Sequence, residues 1–222
     1  TTYVLDLTES PARWRQTPPM AFGRAYHNLT LLPDGSVLVT GAGQTTDTND
    51  EAQAALAAEL WSPTTETWTT MASMAIPRMY QSTALLLPDG RVLSAGGGRF
   101  GNSPGNQQDK LNAEIYSPPY LFKGVRPVLT SVTSAISYGS TFSVTTPDAV
   151  RIRSVVLVRL GAVTHHFNQS QRYLNTLSFQ AVGNTLQVQA PSTSTEALPG
   201  HHMLFILDDN GVPAVAPIVN LQ

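Results

Sequence analysis

The sequence predicts an all-β protein built in two parts, and three observations lead to this prediction. The composition is rich in turn residues, with 16 Gly and 16 Pro among 222 residues, and only 13% of the residues are charged. A repeat of roughly 50 residues runs through the first half. After the segment 118–127 the repeat gives way to short apolar runs separated by turn signals. Such a chain is typical of repeated sheets and sandwiches rather than of helical proteins.

The repeat is defined by several anchors that recur at one spacing. Trp14, Met20 and Arg24 recur in the same order as Trp68, Met74 and Arg78, with the same offset for all three. The turn at 33–35 recurs at 88–90, and the segment 58–63 recurs at 113–118, both with an offset longer by a single position. A unit of about 50 residues with Gly-Gly after a strand and Trp later in the unit predicts kelch-type β-propeller blades.

The clearest copy of the repeat lies at 78–98, where two apolar strands flank Pro88-Asp89-Gly90. Proline sets the backbone angle that begins such a turn, aspartate hydrogen-bonds its own backbone, and glycine accepts a positive φ. Three glycines follow the second strand at 96–98. The segment therefore predicts a hairpin at the centre of a blade.

The segment 1–124 contains only about two blades and a leading strand. Propellers typically close with about 4–8 blades, and an open set leaves unpaired strand edges. The remaining blades are therefore expected in an N-terminal half, which is either another chain or a cleaved fragment. The chain begins at Thr1 with neither Met nor a signal peptide, so we expect it to be processed or cut from something longer.

A proline-rich segment at 118–127 marks the boundary between the predicted domains, 1–124 and 125–222. Seven short strand-like runs follow it, at 128–132, 141–145, 153–160, 176–182, 185–190, 202–208 and 217–221. This number of short strands in about 95 residues favours an immunoglobulin-like β-sandwich. Two polar loops, 44–57 and 99–110, are interpreted as surface connections or as a functional rim, and the first is expected to carry a short helical turn.

Composition and charge exclude several classes of function. The formal net charge is −2 with no Lys/Arg run, which argues against nucleic-acid binding. No stretch approaches the roughly 20 apolar residues of a membrane span, and no cysteine is present for a disulfide or a thiolate zinc site. Low charge and abundant Thr and Ser suit a secreted or cell-surface protein.

The five histidines are the candidate metal ligands, because imidazole is the commonest metal-binding side chain. They are His27, His165, His166, His201 and His202. Each has a simpler interpretation as a polar residue at the end of a strand. Neither a Gly-x-Ser-x-Gly elbow nor a phosphate-binding glycine loop occurs, and the acidic residues lie mostly in turns.

The motifs as a set resemble the galactose oxidase/glyoxal oxidase family of copper-radical oxidases. The resemblance begins with Arg-x-Tyr-x-Ser at 78–82, Leu-Leu-Leu-Pro-Asp-Gly-Arg-Val at 85–92 and Ala-Glu-Ile-Tyr-Ser-Pro-Pro-Tyr-Leu-Phe at 113–122. It continues through Arg-Leu-Gly at 159–161, Thr-His at 164–165, Gln-Arg at 171–172 and Leu-Pro-Gly at 198–200. It implies the C-terminal half of the family's architecture, namely the last blades of a seven-bladed propeller and the appended sandwich.

The resemblance also implies a chemistry. Family members bind one copper through two tyrosines and two histidines, oxidise a primary alcohol or aldehyde and reduce O₂ to H₂O₂. The family motif places the axial tyrosine, which serves as the base, at Tyr80, and the sandwich-domain histidine at His165. The radical tyrosine and its cross-linked cysteine would lie in blades outside this chain.

Gln81 departs from this pattern, because the family has a ligand histidine at that position. A neutral amide oxygen suits copper less well than imidazole does. Two explanations are open: the change inactivates the site, or His166 takes over coordination. The alternative function is a catalytically silent propeller and sandwich module that binds carbohydrate or a protein partner at the cell surface, and a third is a structural half that must pair with its N-terminal partner.

Overall fold

Three antiparallel sheets form the first part of the chain in the computed structural model, which describes residues 1–45, 50–98 and 109–222. A hairpin pairs β1 (Thr2–Leu5) with β2 (Trp14–Thr17). The four-stranded sheet has the order β3 (Asn28–Leu31), β4 (Val37–Thr40), β5 (Ala57–Ser62) and β6 (Thr67–Ser73). The three-stranded sheet has the order β7 (Ser82–Leu86), β8 (Val92–Gly96) and β9 (Ala113–Tyr116).

These sheets follow the sequence repeat. Trp14 lies in β2 and Trp68 in β6, so the first hairpin corresponds to the outer pair of the four-stranded sheet. A 3₁₀ helix at Glu51–Gln53 supplies the helical turn expected in the loop 44–57. Residues 46–49 of that loop, and all of the loop 99–110 except its last two residues, lie outside the described residues, so the interpretation of these loops as a functional rim stays a prediction.

The second part of the chain contains two sheets and one small hairpin. The four-stranded sheet consists of β10 (Ser131–Val132), β12 (Thr141–Thr145), β18 (Thr185–Gln189) and β17 (Phe179–Val182). The five-stranded sheet consists of β11 (Ala135–Ile136), β20 (Ile218–Leu221), β19 (Gly200–Asp208), β13 (Ile152–Arg159) and β16 (Tyr173–Leu174). The hairpin joins β14 (Val163–Thr164) to β15 (Phe167–Asn168), and 3₁₀ helices lie at Pro119–Phe122 and Ala149–Arg151.

The central strands of the five-stranded sheet are buried on both faces. Alternate residues of β13, such as Val155 and Leu157, pack in the sandwich core against Val144 and Leu186. The residues between them, such as Val156, pack in a second core with residues of the blades. That second core contains Leu32, Leu38, Leu86, Val92 and Tyr120 from the blades and Met203, Phe205 and Leu207 from β19. Burial on both faces explains the continuous apolar runs in these strands.

The predicted fold class is confirmed: an all-β chain with propeller blades followed by an immunoglobulin-like sandwich. The Pro-Asp-Gly turns form as expected, with φ of +80° at Gly90. This turn also contacts the sandwich, because the Ala216 N–H donates to the Pro88 carbonyl at 2.8 Å, and within the blade part the Tyr120 hydroxyl donates to the Gly90 carbonyl. The two parts therefore share both a core and polar contacts.

A buried ion pair holds the four-stranded blade together. The Arg24 guanidinium lies 2.9 Å from a Glu59 carboxylate oxygen, and both side chains are fully buried. Arg24 also donates to three main-chain carbonyls, those of Gly41, Ala55 and Ala57. In the next blade Arg78 donates to the Gly96 and Asn112 carbonyls and lies 3.4 Å from Glu114. The repeated arginine therefore has a structural role in each blade.

His202 predicts how stability depends on pH. Burial lowers the pKa of His202, and the neighbouring Arg159 and His201 lower it further, against a hydrogen bond to the Gly200 carbonyl. Below the unfolded-state value of about 6.5 the unfolded chain therefore binds the proton more readily, so the free energy of unfolding falls as the pH falls. Urea unfolding is expected to give a lower free energy of unfolding at pH 5.0 than at pH 7.5, and the difference is expected to be smaller in His202→Gln. An equal difference in the variant and the unaltered protein would contradict the prediction.

No helix among the described residues is long and apolar enough to cross a membrane.

Candidate metal centre

The hairpin β14–β15 presents two adjacent histidines at its tip. His165 and His166 form a two-residue turn, and their φ values are +51° and +67°. Positive φ at both central residues is the mark of a type I′ hairpin turn, which residues other than Gly, Asn and Asp seldom adopt. The turn allows the two rings to project together rather than to opposite faces.

Gln171 fixes this hairpin against the first described blade. Its buried side chain accepts a hydrogen bond from the Leu31 N–H at 2.8 Å and donates to the Leu31 carbonyl at 3.1 Å, as a neighbouring strand would. Asn168 of the hairpin donates to the same Gln171 oxygen at 2.7 Å. The histidine tip is therefore held over the blades by contacts to the main chain of β3.

The tip lies over a cavity of about 430 Å³ between the two blades. The cavity is lined by Tyr26, His27, Leu29, Tyr80, His165, His166 and Phe167. The inner strands of the two blades meet beneath it, where the Asn28 side chain donates to the Ser82 hydroxyl at 3.0 Å. The structure thus brings together three of the four residues expected from sequence at the metal, Tyr80, His165 and His166.

Four rings of the cavity form one connected cluster, those of Tyr26, Tyr80, His165 and His166. The Tyr80 ring centroid lies 5.1 Å from that of His166 and 6.2 Å from that of His165. The Tyr26 centroid lies 5.4 Å from Tyr80 and 5.3 Å from His166. His166 and the two tyrosines therefore form a triangle of rings, and His166 lies nearer to Tyr80 than His165 does.

Several ring nitrogens in the cavity have no hydrogen-bond partner. Both nitrogens of His166 and Nδ1 of His27 are buried and unpaired within the part of the chain that the structure describes. His165 differs, because its Nδ1 lies 2.7 Å from the Thr164 hydroxyl. When that hydroxyl accepts from Nδ1–H, the lone pair is on Nε2, the arrangement that prepares a histidine for metal binding.

Burial keeps these imidazoles neutral. Burial, together with the neighbouring His27 and His165, lowers the pKa of His166 to about 4. Burial also lowers the pKa of His27. A neutral imidazole has a lone pair on one nitrogen, so both side chains are in the form that binds a metal at pH 7.

Gln81 lies beside the cavity rather than in it. Its side chain is exposed, its φ is +66°, and it is absent from the described residues that line the cavity. Of the other candidate histidines, His201 is exposed and His202 lines a separate cavity.

His27 and Tyr26 also line the cavity, although the sequence analysis did not place them beside Tyr80. The repeat did give a signal for them. The pair Tyr26-His27 occupies the same place in its blade as Tyr80-Gln81 does in the next, beginning two positions after the repeated arginine. The two pairs reach one cavity because the two blades are neighbours.

Comparisons with known proteins agree with this architecture. Residues 3–120 match the family model described as glyoxal oxidase N-terminus, and residues 126–221 match the galactose oxidase-like, early set domain. The chain belongs to the galactose oxidase/glyoxal oxidase family. The predicted resemblance to this family of copper-radical oxidases is confirmed.

Three similar proteins illustrate the relationship. A galactose oxidase from Gibberella zeae is 34% identical over 90% of this chain and 30% of its own length. The aldehyde oxidase GLOX from Vitis pseudoreticulata is 31% identical over 91% of this chain and 42% of its own length. A solved fungal alcohol oxidase of the AA5 family, in complex with copper, superposes with a TM-score of 0.88 at 30% identity, over 99% of this chain and 47% of that one. The chain therefore spans less than half the length of each.

The donor set of the cavity fits copper in its chemistry. Imidazole nitrogen and tyrosine oxygen are ligands that copper accepts, and buried nitrogens without partners are rare unless a ligand satisfies them. Within the described ranges, no three His, Asp or Glu side chains are gathered closely enough to form a ready metal site. Binding a metal would therefore require the rings of the cavity to turn inward.

Proposed function

We propose that this chain is the C-terminal part of a secreted copper-radical oxidase that oxidises primary alcohols or aldehydes with O₂ and releases H₂O₂. The observation that supports this most strongly is the convergence of Tyr80, His165 and His166 on one cavity between the blades and the sandwich hairpin. The named activities of the relatives, galactose oxidase and aldehyde oxidase, support this substrate class. Low charge and abundant Thr and Ser support a location outside the cell.

In this proposal Tyr80 and His165 bind the metal, and His166 replaces the imidazole that Gln81 cannot provide. His166 is favoured over Gln81 because its ring contacts Tyr80 and its nitrogens are buried without partners among the described residues, whereas Gln81 is exposed. Copper, when bound, would supply the one-electron chemistry of the family together with a tyrosyl radical. In the net reaction the substrate loses two electrons and two protons, one proton from its hydroxyl group and one from its carbon, and O₂ gains the two electrons and two protons to form H₂O₂.

The residues of the cavity also have roles beyond holding the metal. The Tyr80 oxygen lines the cavity just before β7, and as the phenolate that a bound metal would stabilise it would accept the substrate hydroxyl proton. Phe167 and Leu29 are 66% and 43% exposed, and they would provide apolar contact for the substrate carbon chain. Gln171 would keep the histidine hairpin in place during turnover.

An N-terminal half of the propeller is the proposed partner. The first described blade has four strands and the second has three, so β9 has an unpaired edge among the described residues. Ile115 of this strand is 45% exposed and Leu111 just before it is 94% exposed. A further strand on this edge would complete the blade, because unpaired sheet edges are usually covered.

The test of the proposed function is an H₂O₂ assay on the assembled protein, this chain together with the N-terminal blades, loaded with copper. Stoichiometric copper and peroxide release with primary alcohols or aldehydes are the expected results. Copper binding without peroxide from any primary alcohol or aldehyde would contradict the oxidase.

The family histidine at position 81 can be restored. Gln81→His is expected to raise the affinity for Cu²⁺ by roughly 10-fold or more, because it adds an imidazole beside Tyr80, and changes near a metal typically alter affinity by about 10–100-fold. Isothermal titration measures the change, with Gln180→His on the sandwich as the control. An unchanged affinity would show that position 81 does not face the metal.

The second candidate function, carbohydrate binding without catalysis, is favoured by one feature of the sandwich. A groove of about 350 Å³ on the β12–β18–β17 sheet is lined by amide and hydroxyl side chains and one aromatic ring, namely Thr141, Ser178, Phe179, Gln180, Gln187 and Gln189. Retained binding to a glycan array by protein that takes up no copper would favour this module.

A further inference from the structure

The cavity contains a second copy of the motif that places Tyr80. Arg24-x-Tyr26-His27 is the repeat equivalent of Arg78-x-Tyr80-Gln81 in the preceding blade. The two arginine side chains are each buried within their own blade. The residues that follow each arginine reach the same cavity, which Tyr26, His27 and Tyr80 all line. The earlier blade therefore contributes an imidazole at the repeat position where the later blade has an amide.

The His27 ring is positioned as a ligand is. It lines the same cavity as Tyr80, and its Nδ1 is buried with no hydrogen-bond partner among the described residues. A neutral imidazole has a lone pair on one ring nitrogen, and that nitrogen is the atom that binds a metal. An unpaired buried nitrogen is costly unless something else binds it.

We propose that His27 is a further copper ligand and that it joins Tyr80, His165 and His166 in a site of three nitrogens and one oxygen. This inference rests on the proposed function, since it assumes that the metal lies beside Tyr80. It differs from the family arrangement, because His27 and His166 replace the single imidazole missing at position 81. All four of these donors belong to this chain, so the chain by itself is expected to take up Cu²⁺, while the radical tyrosine of the family would come from the N-terminal blades.

This donor set suits Cu²⁺ in particular. Tetragonal sites of nitrogen and oxygen are typical of Cu²⁺, and copper binds such ligands more tightly than the other divalent metals of the first row do. Among the described residues, no three His, Asp or Glu side chains lie close enough together to hold a metal. The cavity volume of about 430 Å³ leaves room for its rings to rotate inward. His165 lies on an exposed turn, where rotation of the side chain is least hindered.

The test is a Cu²⁺ titration of the purified chain, followed by electron paramagnetic resonance on protein containing ¹⁵N-histidine. We expect one Cu²⁺ per chain and hyperfine coupling to three imidazole nitrogens. His27→Gln is expected to reduce the number of coupled imidazole nitrogens to two and to weaken Cu²⁺ binding by at least about 10-fold. Even residues that only hydrogen-bond to metal ligands typically change metal affinity by about 10-fold or more. His201→Gln, which changes an exposed histidine outside the cavity, is the matched control and is expected to change neither quantity.

The outcomes separate this inference from the proposed function. Coupling to only two imidazole nitrogens in the unaltered chain, or an unchanged nitrogen count and Cu²⁺ affinity in His27→Gln, would overturn the role of His27. If His165→Gln still weakens Cu²⁺ binding in that case, the proposed metal centre stands without His27. Three nitrogens without H₂O₂ formation in the assembled protein would confirm His27 and contradict the oxidase. If His27→Gln does not fold, as judged by circular dichroism, the nitrogen count of the unaltered chain decides the question alone.

Discussion

Glu59→Ala is expected to lower the free energy of unfolding by about 3–5 kcal/mol, because it leaves the Arg24 guanidinium buried without its partner. Both side chains are fully buried, and the ion pair measures 2.9 Å. Burial lowers the pKa of Arg24, while the hydrogen bond and the charge of Glu59 oppose that shift. Urea unfolding of the two proteins measures the difference.

The matched control for this change is an exposed ion pair. Arg15 and Glu66 form a salt bridge in which the Arg15 side chain is 56% exposed. Exposed pairs typically contribute about 0–1 kcal/mol, so Glu66→Ala is expected to have a small effect. Equal losses for Glu59→Ala and Glu66→Ala would contradict the structural role given to the buried pair.

Tyr80→Phe is expected to reduce H₂O₂ formation by about 10²–10⁴-fold in the assembled, copper-loaded protein, the range over which a general acid or base typically contributes to rate. The substitution removes the oxygen that is proposed both to bind the metal and to accept the substrate proton. It leaves the ring contacts with Tyr26 and His166. The measurement is the steady-state rate with a primary alcohol.

Tyr26→Phe is the matched control, because Tyr26 lines the same cavity and its ring lies 5.4 Å from that of Tyr80. Tyr26 has no proposed role in proton transfer, so the rate of H₂O₂ formation by Tyr26→Phe is expected to stay within a few-fold of that of the unaltered protein. A large loss in Tyr26→Phe with full activity in Tyr80→Phe would reverse the assignment of the base.

Most of the fold was predictable because its signals are local and repeated. The Pro-Asp-Gly turns at 33–35 and 88–90 fix the hairpins, and the constant spacing of the repeat fixes the blades. Strand ends were less predictable: β13 was expected at 153–160 and lies at Ile152–Arg159, and the run expected at 128–132 pairs only at Ser131–Val132. The shared core between blades and sandwich was not predictable, because alternate faces of one apolar strand look alike in sequence.

The candidate site was predictable only in part. Tyr80 and His165 were predicted as ligands from family motifs, and His166 was predicted because it adjoins His165. His27 was a candidate ligand but was not placed beside Tyr80, because a histidine at the end of a strand is usually a polar cap and only the docking of Gln171 on Leu31 brings the distant hairpin to its cavity. That contact joins residues 140 positions apart, and no local pattern encodes such a distance.

The most direct test of the central claim is an anomalous difference map at the copper absorption edge from crystals of the chain grown with Cu²⁺. We expect one strong peak in the cavity, within coordinating distance of Tyr80, His165 and His166. A peak at His201 or His202, or no peak in the cavity at full copper occupancy in solution, would contradict the proposed metal centre.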